Sequence, residues 1–351
     1  MTTVHVVLPD GVDDVTRPSG GNVYDRRVCR GLAGLGWTVH EHAVTVAGQS
    51  PGGPAATPLP EAVSDLPAGS VVLVDGLVAA SAPELLLAQA ERVRLVVLVH
   101  MVAEGVGDGP TQTAWCELLG TAAAVITTSG WSRCRLLERY PLPATRVHVV
   151  RPGVDAAALA PRSPSGGRLT CVASLTPGKG HDMLLTALGL VRDLSWTCAC
   201  VGSLVRDPQH ADRLRSEVFR TSLDDRVVLA GPRTGRDLDA TYAATDLLVL
   251  ATRAESFGMV VPEALARGVP VLATSVGGVP EALGRLPDGG RPGLLVPPGD
   301  AAAFAAALRW WLTDSGLRES LRQAARLSRA GLFPWTRTSQ QVSRVLGEVA
   351  R

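Results

Sequence analysis

Two glutamates, Glu255 and Glu263, close the ends of an apolar run in the stretch ESFGMVVPEA (255–264), which otherwise reads as one turn of buried helix. Pro262 constrains where that helix starts, because a proline in a helix interior loses a hydrogen bond and clashes with the preceding turn, whereas the first turn tolerates it. The spacing predicts a start at about Gly258 or Met259. The first amides, those of Phe257, Gly258, Met259, Val260 and Val261, are then unpaired donors at the positive end of the helix dipole, directly after the apolar strand DLLVLAT. Such a place binds an anion, and open α/β folds put ligands at this carboxyl end of a sheet. Glu255 faces the same place. Glu263, beside Ala264, Leu265 and Ala266, needs hydrogen-bond donors, which a sugar or ribose diol would supply. The plainer alternative makes Glu255 a partner of the helix dipole and Glu263 half of an ordinary salt bridge.

Three further places carry groups of this kind. Lys179, in TPGKG, sits at a strand-to-helix turn where a fixed ammonium can meet a diphosphate; a solvated surface lysine is the alternative. His100 ends the buried run LVVLVH, where a histidine serves either as a capped structural residue or as a catalytic one. Gly20 and Gly21 read as a loop after the first strand, where missing side chains permit close backbone approach to a ligand, or as a plain turn. Two patterns are discounted. Asp237-Leu238-Asp239 imitates a metal-binding DxD motif, but it follows Thr234 at helix-start spacing, so Asp237 is read as a helix cap. Arg26, Arg27 and Arg30 could touch anionic lipid, yet three charges are better read as a solvated helix face.

The elements that must position these residues follow from the rest of the chain. At 351 residues it suits two domains, each with its own core. Lysine plus arginine (34) nearly balances aspartate plus glutamate (33), so no global charge selects nucleic acid or an anionic membrane. The apolar runs are strand-length, far short of a membrane span, and the start MTTVHVVLPDG enters a strand with no basic leader, so a cytoplasmic protein without a transmembrane segment is expected. The six cysteines show no CxxC spacing; Cys171, Cys198 and Cys200 fall in core strands and read as reduced packing residues.

Short apolar runs alternate with helical patterns throughout, the signature of parallel sheets with helices on both faces. Six strands are predicted in the first half (VHVVLP, WTVHEHAV, SVVLVDG, LVVLVHM, AAVITTS, RVHVVRP), with helices at 23–35, 83–92, 111–121 and 131–140. The stretch AAALAPRSPSGGR reads as a linker. Six more strands follow (LTCVAS, TCACVG, RVVLAG, DLLVLAT, PVLATS, GLLVP), and then helices at 301–312, 317–329 and 335–351. Neither half holds a GxGxxG fingerprint, which removes the main support for a dinucleotide dehydrogenase.

The stretch ESFGMVVPEALARGVPVLATSVGGVPE (255–281) resembles the E-x7-E signature of retaining GT-B glycosyltransferases, specifically glycosyltransferase family 4. PSGGN, LVHM, RPGVD, TPGKG, ATDLLVLAT and GLLVPPGD line up in the same order, so the resemblance covers essentially the whole chain apart from residues 48–67. It implies that Glu255 contacts hydroxyls of the donor sugar, that Glu263 binds the nucleotide ribose, and that the amides of Phe257, Gly258, Met259 and Val260 hold the diphosphate. It implies too that Lys179 neutralises the leaving diphosphate and that His100 contacts the donor sugar. The Gly20-Gly21 loop would touch donor phosphate and acceptor, which makes Asn22 and Tyr24 acceptor candidates. One position departs from the pattern: Ser174 stands where the family commonly has an arginine, and Arg233 is a candidate substitute cation.

The expected architecture is α/β of the GT-B type, two doubly wound Rossmann-like domains facing across a cleft. The acceptor-side domain would span 1–155, the nucleotide-sugar domain 156–333, and a final helix, 334–351, would cross back onto the first. The expected reaction is transfer of a hexose from a UDP- or GDP-linked sugar to an acceptor hydroxyl with retention, by same-face displacement, with no metal and no cofactor beyond the nucleotide-sugar co-substrate. The acceptor would be a small molecule, glycan or lipid. A nucleotide-sugar epimerase or phosphorylase of the same fold, or a silent nucleotide-sugar-binding subunit, are the alternatives.

Overall fold

Every predicted strand forms; the central ones, such as Val71–Asp75 and Leu247–Leu250, are buried on both sides, as a parallel sheet covered on both faces requires, whereas the edge strands Thr38–Val44 and Val227–Gly231 keep exposed residues. The computed structural model describes residues 2–46, 59–102 and 110–351. Its contacts divide the chain into two compact units, one of Met1–Asp14, Gly20–Gly153 and Phe333–Arg351, the other of Val15–Ser19 and Val154–Leu332.

The first unit holds β1 (Thr3–Pro9), β2 (Thr38–Val44), β3 (Val71–Asp75), β4 (Arg94–Val99), β5 (Ala124–Thr127) and β6 (Val147–Val149). They form one all-parallel sheet in the order β2-β1-β3-β4-β5-β6. Chain order reverses between β1 and β3, and that is where a doubly wound sheet opens a crevice at its carboxyl edge. One face packs Val4, Val6 and Leu8 against Val28 and Leu32 of the helix Gly20–Gly34 and Val342 and Leu346 of the helix Trp335–Val349. The two helices approach closely because Gly31 has no side chain; a Cβ there would lie 1.9 Å from Ser339 Oγ. The last helix is tied to the sheet by Thr338, which donates to the Arg151 carbonyl, and by Arg94, which donates to the Val349 carbonyl.

The local reading needs amendment in three places. Gly20 and Gly21 open the first helix instead of forming a loop. The predicted helix 83–92 is shorter, Pro83–Leu87, and is preceded by one not expected, Gly76–Ser81, capped by Asp75, whose carboxylate accepts from the Leu77 and Val78 amides. Of the unplaced region 48–67, residues 48–58 lie outside the described residues, and Leu59–Ser64 is a helix packed on the sheet through Leu59, Ala62 and Val63.

The second unit holds β7 (Arg168–Val172), β8 (Thr197–Val201), β9 (Val227–Gly231), β10 (Leu247–Leu250), β11 (Val271–Thr274) and β12 (Gly293–Val296), again all parallel, in the order β12-β11-β10-β7-β8-β9. Its reversal lies between β7 and β10. Trp311, Phe304 and Leu308 bury one face, and Tyr242, Val261 and Leu265 the other. The predicted linker has no regular element and is pinned by buried Asp246, which accepts from the Ser163 and Arg168 amides at 2.8 and 3.0 Å. All six cysteines are free, with Cys171, Cys198 and Cys200 buried in the second core. Among the described residues no helix is long and apolar enough to cross a membrane.

Candidate active site

The topology of the second sheet brings Lys179 and Glu255 together. Lys179 ends a short 3₁₀ turn, Pro177–Lys179, after β7, and Glu255 lies in the loop after β10, the neighbouring strand across the switch point. Lys179 Nζ donates to Glu255 Oε2 at 2.6 Å, with both side chains partly exposed. Backbone and side-chain bonds fix the two loops against each other. The Arg253 amide and Thr252 hydroxyl both donate to the Gly178 carbonyl, and the Arg253 guanidinium grips Asp182 through two contacts at 2.8 and 2.7 Å. Gly180 adopts φ +67°, and a Cβ there would stand 2.0 Å from the Ala251 carbonyl oxygen.

Lys179 is also the only lysine of the chain; every other basic side chain among the 34 is arginine. A compact ammonium on a flexible stem is therefore used at this one place, where a point charge and not a planar fork faces the carboxylate. That signal lies in the composition.

The glycines after β11 hold the other side of the Glu255 loop. Gly277, at φ +57°, would put a Cβ 1.7 Å from the Glu255 carbonyl oxygen, and the Gly278 amide donates to that same oxygen at 2.9 Å. The helix that follows runs Val260–Ala266 with Met259 as its cap residue and Pro262 in its first turn. The Val261 amide donates to the Gly258 carbonyl, so it drops out of the predicted row of open donors. Among the described residues no partner is found for the amides of Phe257, Gly258, Met259 and Val260.

Glu263 receives its donor from within the protein. The Tyr242 hydroxyl donates to Glu263 Oε2 at 2.7 Å, and Arg267 lies 4.6 Å over the Tyr242 ring while donating to the Glu263 carbonyl. Burial raises the Glu263 carboxyl above its usual range against the pull of the Tyr242 hydrogen bond and the Arg267 charge. Arg233, the candidate substitute cation, donates to Thr241 on the helix Gly235–Ala243, beside Tyr242, so its recorded contact is with the Glu263 side of the site and not with Lys179. Ser174 accepts a turn bond from the Thr176 amide through its carbonyl. The DxD pattern stands at a helix start, as read, but the cap residue is Thr234, Asp237 sits in the first turn, and Asp239 pairs with Arg267.

In the first unit the carboxyl ends of β3 and β4 and the helix after β1 converge on His100. Its Nε2 lies 2.8 Å from Asp25 Oδ1 and 3.3 Å from Asp75 Oδ2, and both carboxylates are buried. Burial alone would lower the imidazole pKa; the charges and hydrogen bonds of Asp25 and then Asp75 outweigh it and raise it to about 10. Burial lifts Asp25 to about 6 despite the neighbouring imidazolium. Asp75, although burial acts on it in the same direction, is held below its ordinary value by His100 and the Leu77 and Val78 amides. The three ligand atoms lie within 4.8 Å of one another, spacing that a metal could use, but the imidazolium proton already occupies the space between the carboxylates.

Gly21 lies under this ring, where a Cβ would be 3.3 Å from His100 Cδ2. The two acceptor candidates are otherwise engaged. Tyr24 is 1% exposed, donates to the Val150 carbonyl at 3.0 Å and stands edge-on to His100; the Asn22 amide donates to the Gly11 carbonyl. Nor is the arginine face a free one: Arg26 pairs with Asp13 and Glu41, and Arg27 lies over Trp335. Asp25, Asp75 and Tyr242 are the partners missed in the sequence. Asp75 alone had a local signal, an acid at the carboxyl end of a buried strand.

Two six-stranded parallel sheets with these switch points define the GT-B fold. Superposition agrees: sucrose-phosphate synthase from Thermosynechococcus elongatus matches with a TM-score of 0.80 at 22% identity, over 99% of each chain. Anabaena Alr3699/HepE in complex with UDP-glucose matches at 0.76 and 20%, over 99% of this chain and 100% of that one. Residues 166–314, which contain Lys179, Glu255 and Glu263, match the family model described as Glycosyl transferases group 1. By sequence the chain is similar to D-inositol 3-phosphate glycosyltransferases, 34% identical over 293 residues to that of Salinispora arenicola (73% of this chain, 64% of the relative) and 31% over 257 residues to that of Jonesia denitrificans (66% and 59%). The chain thus spans about three fifths of the length of these curated relatives.

Proposed function

We propose that this protein is a glycosyltransferase of family 4 that moves a hexose from a UDP- or GDP-linked sugar to an acceptor hydroxyl with retention of anomeric configuration and without a metal. The observation that carries the reading is the 2.6 Å contact between Lys179 and Glu255 at the switch point of the second sheet, inside the segment that matches the family model. Without ligand the two charges satisfy each other. A nucleotide diphosphate competes for the ammonium and releases the carboxylate to accept hydrogen bonds from sugar hydroxyls. The amides of Phe257, Gly258, Met259 and Val260 add donors to the same anion, and the oxygen of Glu263 not bonded by Tyr242 is assigned to the ribose.

In the reaction the bond from the anomeric carbon to the leaving phosphate oxygen breaks. The bond to the acceptor oxygen forms on the same face, and the acceptor proton passes to the departing phosphate. Catalysis then rests on positioning and charge stabilisation, with Lys179 supplying the cation. His100, fixed by Asp25 and Asp75, is the assigned sugar contact of the first unit. The names of the sequence relatives make D-inositol 3-phosphate the first acceptor to assay, ahead of glycans and lipids.

The test is a panel of nucleotide sugars with and without acceptor, read as nucleotide release and product anomeric configuration by NMR. Release accelerated by an acceptor, with retention, supports the reading. Epimerised donor, a free sugar phosphate, an inverted product, or binding without turnover on every acceptor would each overturn it.

A further inference from the structure

Three of the seven histidines stand on one face of the first sheet. His5 on β1 is paired across the parallel ladder with His40 on the edge strand β2, and His42 follows two residues on, so the pleat turns all three the same way. The His5 ring stacks on His40, with centroids 5.1 Å apart and planes 19° apart, and meets His42 at 5.3 Å. His5 Nδ1 and His42 Nε2 are 3.1 Å apart. His40 is exposed and the other two are half-buried, so the group is open to an ion.

We propose that His5 and His42, joined by His40, form a binding site for a transition-metal dication of the Zn²⁺ class. Two nitrogens each about 2.0–2.1 Å from one ion and separated as here subtend roughly 100° at it, between the octahedral and tetrahedral angles. His5 and His42 now share one hydrogen. Entry of the ion moves that hydrogen to the other nitrogen of its ring and turns the two rings until both lone pairs face the metal; no proton is lost. His40, exposed on the same face, does not share a common ligand distance with the other two as it stands and would join the ion only by changing rotamer. An all-imidazole set suits zinc, copper or nickel and not magnesium or calcium, whose ligands are oxygens. The ion would staple the edge strand to β1. The Asp25–His100–Asp75 cluster has the spacing for a metal, but its ring nitrogen is already engaged by the two carboxylates.

The experiment is calorimetric titration of chelator-stripped full-length protein with Zn²⁺ alone, repeated for His5→Ala, His42→Gln and Asp75→Asn, with circular dichroism to check folding. The expected result is about one equivalent bound by wild type and by Asp75→Asn, weakened at least about tenfold by either histidine change. Cu²⁺ in place of Zn²⁺ should show three nitrogen ligands by electron paramagnetic resonance, falling to two in His40→Ala. Absence of saturable binding, binding indifferent to His5 and His42, or loss of binding in Asp75→Asn would each overturn the assignment.

Discussion

His100 Nε2 lies 2.8 Å from Asp25 Oδ1, a bond between residues 75 positions apart that ties the end of β4 to the first helix. With Asp75 on the other side, it makes a histidine at a strand end into a fixed imidazolium. The sign of the pH effect follows. A histidine whose pKa is raised from 6.5 to about 10 contributes stability that is fully present below about 6.5 and is lost as pH rises through about 10. Thermal unfolding should therefore show falling stability between those limits. Asp25→Asn should lower the pKa of His100, seen by NMR titration of the ring, and cost about 3 kcal/mol of stability as a broken buried pair. An unchanged ring titration would remove Asp25 from the cluster.

Lys179→Ala should reduce turnover about a hundredfold or more while barely changing the unfolding midpoint. The lost pair with Glu255 is partly exposed and worth at most about 1 kcal/mol to stability, whereas the same charge at a leaving phosphate acts in the transition state. Steady-state kinetics and a thermal melt on the same preparation separate the two. Equal rates in wild type and variant would exclude Lys179 from the chemistry.

Because Lys179 is the sole lysine, an amine-acylating reagent has one side-chain target besides the α-amino group. Acylation should abolish activity in step with loss of the Lys179-containing tryptic peptide, and a nucleoside diphosphate should protect it. Activity that survives full modification would contradict the assigned role.

Strands and the two carboxyl-end motifs were legible in the sequence because each depends on neighbours a few residues away: apolar runs, Pro262 in a first turn, a lysine in TPGKG. What could not be read depends on strand order. Asp25 meets His100 only because β1 and β4 flank β3, and Tyr242 meets Glu263 only because its helix covers the face behind β10. The same limit explains Gly20 and Gly21, whose lack of side chains looked like a turn; Gly21 in fact makes room inside a helix for the His100 ring. Tyr24, an acceptor candidate by resemblance, is buried by the orientation of its helix.

Gly277→Ala should harm both stability and activity. The residue sits at φ +57°, which costs a side chain about 1–2 kcal/mol, and its Cβ would drive into the Glu255 carbonyl oxygen, so the backbone beside Glu255 must move. The expected signature is a lower unfolding midpoint together with a lower kcat. Gly289→Ala, also at positive φ but with open space around it, is the control for backbone strain alone and should keep its kcat. A normal kcat in Gly277→Ala would mean that the Glu255 loop need not be held where it stands.

Tyr242→Phe removes only the hydroxyl that donates to Glu263 Oε2, leaving a partly buried carboxylate one donor short. The cost should be about 1–3 kcal/mol at neutral pH. Without that bond the Glu263 pKa, already raised by burial, rises further, so the variant should be most destabilised where the carboxylate is ionised and should approach wild type as pH falls through the Glu263 pKa. If Glu263 holds the ribose, KM for the nucleotide sugar should rise more than kcat falls, since a misplaced binding carboxylate weakens ground and transition states alike. Chemical denaturation at several pH values and donor-dependent kinetics measure both. A pH-independent stability difference, or a kcat effect with KM unchanged, would contradict this role for the Tyr242–Glu263 bond.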